Sequence, residues 1–168
     1  MAELIRPTPI LNEPKRVNRF VLEFPTELGF ESWQVQTSGR PAFKQNAVAV
    51  EMMNTTFHVA GKYTWDPITI TFMDTIGKSA GQTTIEWVRL SSESITGRQG
   101  YAAGYMKNIV LKDVDPTGVE IGKWVLYNCM ITEASWGENN LGEDGLQMVS
   151  ITVQPQYCIM ESYKNKPL

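Results

Sequence analysis

The stretch that decides the fold runs from residue 57 to residue 74 and reads FHVAGKYTWDPITITFMD. After Pro67, apolar residues at 68, 70 and 72 alternate with Thr69, Thr71 and Met73. An alternation of period two is the pattern of a β-strand that buries one face. The sequence therefore predicts a strand here, with both threonines on the side away from the core.

The same period extends outward in both directions along the chain. It predicts further strands at 18–24, 33–37, 47–52, 55–59, 106–113, 119–133 and 149–156. Turn chemistry separates them, because Met53-Asn54 fits a hairpin, 115–118 reads Asp-Pro-Thr-Gly and 138–142 is rich in Asn and Gly. In the last strand, Val149, Ile151 and Val153 are expected to point inward.

One helix is predicted from Ser79 to Ser91, with Ser79 as its cap. Its expected apolar stripe is Ile85, Trp87 and Val88, with Leu90 beside it. The glycine-rich segment 92–104 that follows is predicted to be a mobile loop. The expected fold is mainly β, a two-sheet sandwich or barrel with one helix packed outside.

Composition sets limits on the class of protein. The chain has 168 residues and a formal charge of −3, and its 42% hydrophobic content is typical of one globular domain spanning 1–168. The slight acidity argues against a protein that grips nucleic-acid phosphates. The sequence shows neither a secretory signal nor an apolar span, so we expect no membrane insertion.

The inventory of reactive groups is small. His58, the single histidine, lies in a predicted strand, and no nucleophile elbow accompanies it. Asp113, Asp115 and Glu120 match no calcium loop, and Gly77-Lys78 fails the P-loop spacing. We expect no catalytic, metal or cofactor site. Cys129 and Cys158 are expected to be free thiols, with a disulfide left open.

Several predicted strands carry an apolar face and a second face of Thr, Ser and Gln. Because edge strands of a small sheet remain available for pairing, such a chain could assemble into a closed oligomeric barrel. An outward face of Thr and Gln is also normal on a solvent-exposed sheet. The pattern alone leaves a ring-forming protein and a monomeric binding module equally open.

The stretch from Phe57 to Asp74 closely resembles the central motif of the tail tube proteins of contractile-tailed bacteriophages. In that family an N-V-A-G-x-x-T-[FW] turn leads into an alternating strand that ends in an acid. This chain has Val59-Ala60-Gly61 and a Thr-Trp pair at 64–65, and it departs from the motif at His58. The resemblance covers most of 17–161, including the 18–20 strand, the helix with Trp87 and the hairpin at Trp136.

The resemblance implies a homohexameric ring whose inner strands join into one β-barrel, with rings stacked into a tube that conducts the genome. It also implies a sheath protein, a tape-measure protein, a baseplate and a tail terminator as partners, assembly in the host cytoplasm and a final place in the virion tail. DNA would pass without specific binding. The family resemblance implies no enzyme activity and no cofactor.

If the chain forms such a tube, the alternation along its strands assigns eight residues to the lumen: Glu23, Glu51, Thr69, Thr71, Ser150, Thr152, Gln154 and Gln156. Ring stacking is expected to use the loop 38–46, an extended N-terminal segment of about 1–16 and a C-terminal tail of about 162–168. The cations expected to meet acids on the next ring are Lys15, Arg16, Arg40 and Lys44.

Two alternatives remain. The first is the inner tube of a type VI secretion system or a bacteriocin-like contractile particle, which would share the fold but serve another machine. The second is a monomeric β-sandwich binding module with a concave aromatic patch drawn from Trp33, Trp65, Trp124 or Trp136. We expect those tryptophans to lie instead in the core or in subunit contacts.

Overall fold

The computed structural model, which describes residues 14–161, has nine strands, one more than the eight period-two segments of the sequence. The strands are β1 Phe20–Glu23, β2 Val35–Ser38, β3 Phe43–Met52, β4 Thr55–Trp65, β5 Ile68–Met73, β6 Lys107–Val114, β7 Glu120–Ser135, β8 Met148–Gln154 and β9 Tyr157–Glu161. The helices are α1 Ala80–Ser91 and the single turn α2 Ala102–Tyr105, and a 3₁₀ turn covers Ser32–Gln34. Of the predicted terminal segments, residues 1–13 of the N-terminal one and the whole C-terminal tail, 162–168, lie outside the described residues.

Strand β7 is sixteen residues long and belongs to two antiparallel sheets. Its first part pairs with β6 and β9, and with β1 beyond β6 this forms sheet A, in the order β1-β6-β7-β9. Its last part pairs with β8, and sheet B continues through β5 to β2. The corner is a left-handed residue, Asn128, with φ 52°. One long bent strand thus carries the chain from one layer to the other.

The core lies between these two sheets. Sheet B contributes Ile68, Ile70, Phe72, Val149, Ile151 and Val153, and sheet A contributes Leu22, Ile109, Leu111 and Leu126. The predicted inward positions of β5 and β8 are confirmed, and so is the predicted class of a two-sheet β protein with a helix packed outside. Within residues 14–161 both sheets stay open at their edges, so one chain does not close a barrel.

Helix α1 confirms the predicted helix, and the hydroxyl of Ser79 caps it by accepting the N–H of Gln82 at 3.2 Å. The buried face confirms Trp87 of the predicted stripe and otherwise differs from that stripe. It consists of Ala80, Gly81, Thr84 and Trp87, whereas the predicted residues Ile85 and Val88 are only half-buried. Small residues let the helix approach the sandwich closely, and a count of large apolar residues overlooks that face.

The segment 92–104 is more ordered than a loop. Ser92 and Gln99 form an isolated antiparallel bridge, and the chain then turns into α2. The indole N–H of Trp87 donates to the carbonyl of Tyr105 at 2.7 Å, which ties α2 to α1.

The prediction that a strand begins at Trp33 is wrong. Residues 32–34 form a 3₁₀ turn, so Trp33 is 59% exposed and Gln34 is buried instead. The side chain of Gln34 donates to the carbonyl of Lys78 at 2.7 Å and to the hydroxyl of Thr75 at 3.1 Å. A buried amide that is fully hydrogen-bonded can replace an apolar residue at this position.

Strands β3 and β4 form a separate two-stranded hairpin, residues 43–65, which we call the arm. Its turn at Met53-Asn54 lies where the sequence predicts it. Val48 pairs with Val59 and Val50 with Phe57, so these residues share one face as expected. That face is largely exposed rather than packed in the core.

Candidate assembly surfaces

The outer side of sheet B is a mainly polar surface, which we call the hydroxyl face. Two rows cross the strands. The first row consists of Thr37, Thr71, Ser150 and Ser135, and the second of Thr69, Thr152 and Glu133. The hydroxyl oxygens of Thr69 and Thr152 are 3.3 Å apart. Cross-strand threonine pairs of this kind stabilise a sheet on its solvent side.

Five of the eight residues predicted for the lumen lie on this one face: Thr69, Thr71, Ser150, Thr152 and Gln154. The helix lies on the opposite side. Phe72 faces the core and stacks on Phe30 at 4.7 Å between ring centroids, and Phe30 in turn meets Trp87 of α1. None of the five polar side chains packs under the helix.

The other three predicted residues lie elsewhere. Glu23 is on sheet A, where its carboxylate accepts a 2.6 Å hydrogen bond from Lys112 that raises the pKa of that lysine. Glu51 is on the arm and accepts a hydrogen bond from the hydroxyl of Thr56 at 2.9 Å. Gln156 follows β8 in the turn toward β9.

The sequence reasoning missed three members of the hydroxyl face: Thr37, Glu133 and Ser135. The pairing register shifts between Ile131 and Glu133, so simple alternation along β7 loses its phase there. Within residues 14–161, Glu133 is the single charged side chain on this face. The face therefore offers hydroxyl and amide groups, one carboxylate and, at one end, the paired side chains of Met73 and Met148, but no cation.

Both edges of sheet B are open in the described part of the chain. Strand β2 pairs on one side only, with β5, and the last part of β7 pairs only with β8. An open edge presents unpaired N–H and C=O groups that another strand can complete. The hydroxyl face is thus bounded on both sides by edges able to pair with another chain.

The arm is attached to the body through an aromatic root. Phe43 lies 5.4 Å from Tyr63 and 5.3 Å from Trp65 between ring centroids, and Trp65 meets Trp124 of sheet A edge-on. The side chain of Gln154 donates to the carbonyl of Trp65 at 2.8 Å. Trp65 and Trp124 are therefore packed against the core, as expected.

Beyond its root, the arm consists of two strands that pair only with each other in the described part of the chain. Large apolar side chains at 48, 52, 53, 57 and 59 are each close to half exposed or more. An isolated two-stranded hairpin is marginally stable in water, and contiguous exposed apolar surface marks an interaction site. The arm thus has the properties of a segment that another chain covers.

The four cations predicted for ring stacking have different surroundings. Arg40 and Lys15 both bind the carboxylate of Asp113, at 2.7 Å and 3.3 Å. Lys44 pairs with Asp66 at 2.8 Å on the surface of the arm root. Arg16 is exposed, and its carbonyl accepts the N–H of Arg19 at 3.3 Å.

The reactive groups have structural roles. Asp115 caps its own turn by accepting the N–H groups of Thr117 and Val119 at 2.8 Å and 2.9 Å. His58 is exposed on the arm opposite Ala49. In residues 14–161 no three His, Cys, Asp or Glu side chains are grouped so that they could hold a metal ion.

Cys129 and Cys158 are free and buried, and burial raises their pKa to about 12 and about 11. Neither helix in the described range has the length and apolar character needed to cross a membrane.

Comparison with known proteins gives similarity in structure only. No protein-family profile and no curated protein sequence matches the chain. The structure is similar to the tube-terminating cap of the anti-feeding prophage, with a TM-score of 0.73 and 16% identity over 97% of this chain and 100% of the cap. It is also similar to a chain of the sheath-tube complex of the extracellular contractile injection system PVC, with a TM-score of 0.72 and 16% identity over 91% and 95% of the two chains.

A third similar structure is Hcp1 from Flavobacterium johnsoniae, with a TM-score of 0.53 and 10% identity over 86% of this chain and 95% of Hcp1. These neighbours are tube, cap and Hcp proteins, and the similarity extends over nearly the whole chain. The chain therefore has the tail-tube, Hcp-like fold.

Proposed function

We propose that this protein is a structural subunit of a tube, in which six copies form a ring and the rings stack. The observation that carries the proposal is the hydroxyl face bounded by two open edges. In a ring, β2 of one copy would pair with the last part of β7 in the next, and the hydroxyl face would line the bore. Closing the sheet in this way removes every exposed edge of sheet B.

The dimensions of such a ring suit a conduit. Four strands from each of six copies give about 24 strands, and the usual strand spacing and tilt give a barrel roughly 45 Å across between backbones. Side chains on the inner wall reduce the free bore to roughly 35 Å, comparable to the diameter of a small folded domain.

The proposed lumen residues are Thr69, Thr71, Ser150, Thr152 and Gln154, together with Thr37, Glu133 and Ser135. A wall of hydroxyl groups without Lys or Arg gives a phosphate backbone no cation to bind. Cargo that touches this wall exchanges hydrogen bonds with water at little net cost. Glu23, Glu51 and Gln156 lie off this face, and the proposal does not include them.

The arm is proposed to stack one ring on the next. Its apolar face at Val48, Phe57 and Val59 would be buried against another copy, which would also make the two-stranded hairpin stable. A contact between unlike surfaces of identical chains builds an open filament when it does not close into a ring, and here the filament would be a stack of rings. Lys44 and Arg16 are proposed to meet acids of the neighbouring ring, whereas Lys15 and Arg40 act at the arm root.

The proposal also concerns what the tube conducts and the kind of particle to which it belongs. The resemblance of residues 57–74 to phage tail tube proteins favours a virion tail that conducts a genome, assembled in the host cytoplasm with a sheath, tape-measure protein, baseplate and tail terminator. Similarity in fold to the PVC and anti-feeding prophage chains supports the alternative of a contractile injection particle with another cargo. Neighbouring genes distinguish them, since a capsid protein and a terminase accompany only the phage.

Electron microscopy tests the tube itself. Negative-stain images of the purified protein over a range of concentrations should show rings or hollow tubes. Phe57→Ser should abolish stacking, because it removes an apolar contact from the arm, while Thr56→Ser on the other face of the arm should leave stacking intact. Uniform monomers of the parent protein at every concentration would overturn the proposal and favour the monomeric binding module.

The accessibility of a new thiol tests which face lines the bore. In assembled tubes, Thr71→Cys should react with a small maleimide but not with one attached to a polymer too large for the bore. Glu86→Cys, on the exposed side of α1, should react with both reagents. Equal reaction of Thr71→Cys with the two reagents would place the hydroxyl face outside the tube.

A further inference from the structure

Asp113 is the one buried charged residue among residues 14–161, with 3% of its surface exposed. It lies on β6 in alternation with the buried residues Ile109 and Leu111, so its carboxylate points into the space between the two sheets. A buried charge is costly unless cations and hydrogen bonds compensate it. The contacts of this carboxylate therefore show which segments of the chain it holds together.

The two carboxylate oxygens bind cations from two distant segments. Oδ1 accepts a hydrogen bond from Nη2 of Arg40 at 2.7 Å, and Oδ2 accepts one from Nζ of Lys15 at 3.3 Å. Arg40 is 73 residues away in sequence and Lys15 is 98 residues away. Gly122, opposite Asp113 on β7, leaves room for the lysine, because a Cβ at 122 would lie 3.3 Å from Nζ.

Arg40 lies where the arm begins. It follows β2, whose last hydrogen bond to β5 runs from the N–H of Gly39 to the carbonyl of Thr69 at 2.9 Å. Three residues after Arg40, β3 starts at Phe43. The start of the arm follows β2 of sheet B. The contact between Arg40 and Asp113 therefore connects the start of the arm to β6 of sheet A.

We propose that Asp113 is a positioning residue for assembly: by binding Arg40 and Lys15 together, it fixes the direction of the arm and of the chain that enters β1. This inference rests on the proposed function, because it assumes that the arm docks on another copy. A rigid arm loses less conformational freedom on docking than a swinging one, so fixing its direction lowers the concentration at which tubes form.

The direct test measures the direction of the arm in the monomer. Spin labels on Asn54→Cys at the arm tip and Glu86→Cys on α1 report a distance distribution by pulsed electron paramagnetic resonance. Both native thiols are buried and stay unlabelled. We expect a narrow distribution in the parent, at least doubled in width by Asp113→Asn. Lys44→Gln, which removes the surface ion pair at the same root, should leave the width unchanged.

The second measurement is the critical concentration for tube formation, which Asp113→Asn should raise about tenfold, equivalent to about 1.4 kcal/mol of docking free energy. If Asp113→Asn does not fold, Arg40→Gln provides the same test, since Lys15 still compensates the carboxylate. Combining the two substitutions should cost less than the sum of the single effects, because each one alone already breaks the same contact between Arg40 and Asp113.

The outcomes separate the two proposals. An unchanged width in both Asp113→Asn and Arg40→Gln would overturn the positioning role. A broadened distribution with unchanged tube formation would overturn the link between positioning and assembly. If the parent protein forms no tubes at all, the proposed function fails, while the distance distribution still decides whether Asp113 positions the arm.

Discussion

The backbone N–H of Asn128 donates a 2.9 Å hydrogen bond to the side-chain oxygen of Asn108 on the adjacent strand. Asn128 has φ 52° and is the one non-glycine residue with a positive φ in the described range. The strand register shifts at this point, where Ile109 pairs with Leu126 and Lys107 with Cys129. This bulge turns β7 out of sheet A and into sheet B.

Asn128→Val should lower the free energy of unfolding by about 2 kcal/mol, because a β-branched side chain is strained in the left-handed region. Asn128→Gly should change it by less than about 0.5 kcal/mol, since glycine adopts that conformation freely. Urea unfolding followed by tryptophan fluorescence measures both. Equal losses in the two variants would show that the corner does not depend on the left-handed conformation.

Gly100 packs against the backbone that ends α1. A Cβ at this position would lie 2.0 Å from the carbonyl oxygen of Leu90, whereas a Cβ at Gly104 would meet nothing within 4 Å. Gly100→Ala should cost about 3 kcal/mol, and at about 2–4 °C per kcal/mol the melting temperature should fall by about 6–12 °C. Gly104→Ala, within α2, should raise it slightly, because alanine favours a helix. Calorimetry that showed similar shifts for both would contradict this contact.

Alternation along the chain predicts the strands well because each buries one face. Ile70 and Ile151, both inward by parity, are fully buried and pair with each other. Parity tells which side of its own strand a residue takes, but it does not tell which sheet that strand joins. Glu23 and Thr69 both alternate with buried residues on their own strands, but the strand of Glu23 belongs to sheet A.

Periodicity also does not predict whether another element covers an apolar face. Val48 and Phe57 alternate as core residues do, but they lie on the part of the arm beyond its root, where their side chains stay about half exposed. A 3₁₀ turn replaces the expected start of the strand, and as a result Trp33 is exposed and Gln34 is buried. The partners of Asp113 depend on chain segments 73 and 98 residues away, which no local pattern connects.

Two indole donors, one on α1 and one bound to it, differ in burial. Trp87, 1% exposed, donates to the carbonyl of Tyr105 at 2.7 Å, and Trp136, 41% exposed, donates to the carbonyl of Gly81 at 3.1 Å. Trp87→Phe should lower the free energy of unfolding by about 2–3 kcal/mol, because it leaves a carbonyl without its donor and opens a cavity. Trp136→Phe should cost less than about 1 kcal/mol, since water can replace its indole. Urea unfolding that ranked the two in the opposite order would contradict the burial argument.

The two cysteines make stability depend on pH in the alkaline range. Burial raises the pKa of Cys129 from 9.0 to about 12 and that of Cys158 from 9.0 to about 11. Above pH 9 the unfolded chain releases thiol protons that the folded chain retains. The unfolded state then binds fewer protons, so the free energy of unfolding falls as pH rises toward the folded pKa values.

Between about pH 8 and about pH 10 the loss should be about 1 kcal/mol for each thiol. Lysine and tyrosine side chains also titrate near this range, so the control is the double variant Cys129→Ala/Cys158→Ala, measured by urea unfolding at both pH values. The parent should lose about 2 kcal/mol more than the double variant, and an equal loss in both would contradict the raised thiol pKa values. Because both thiols are buried inside one subunit, gel mobility of the assembled protein should also be the same with and without reductant.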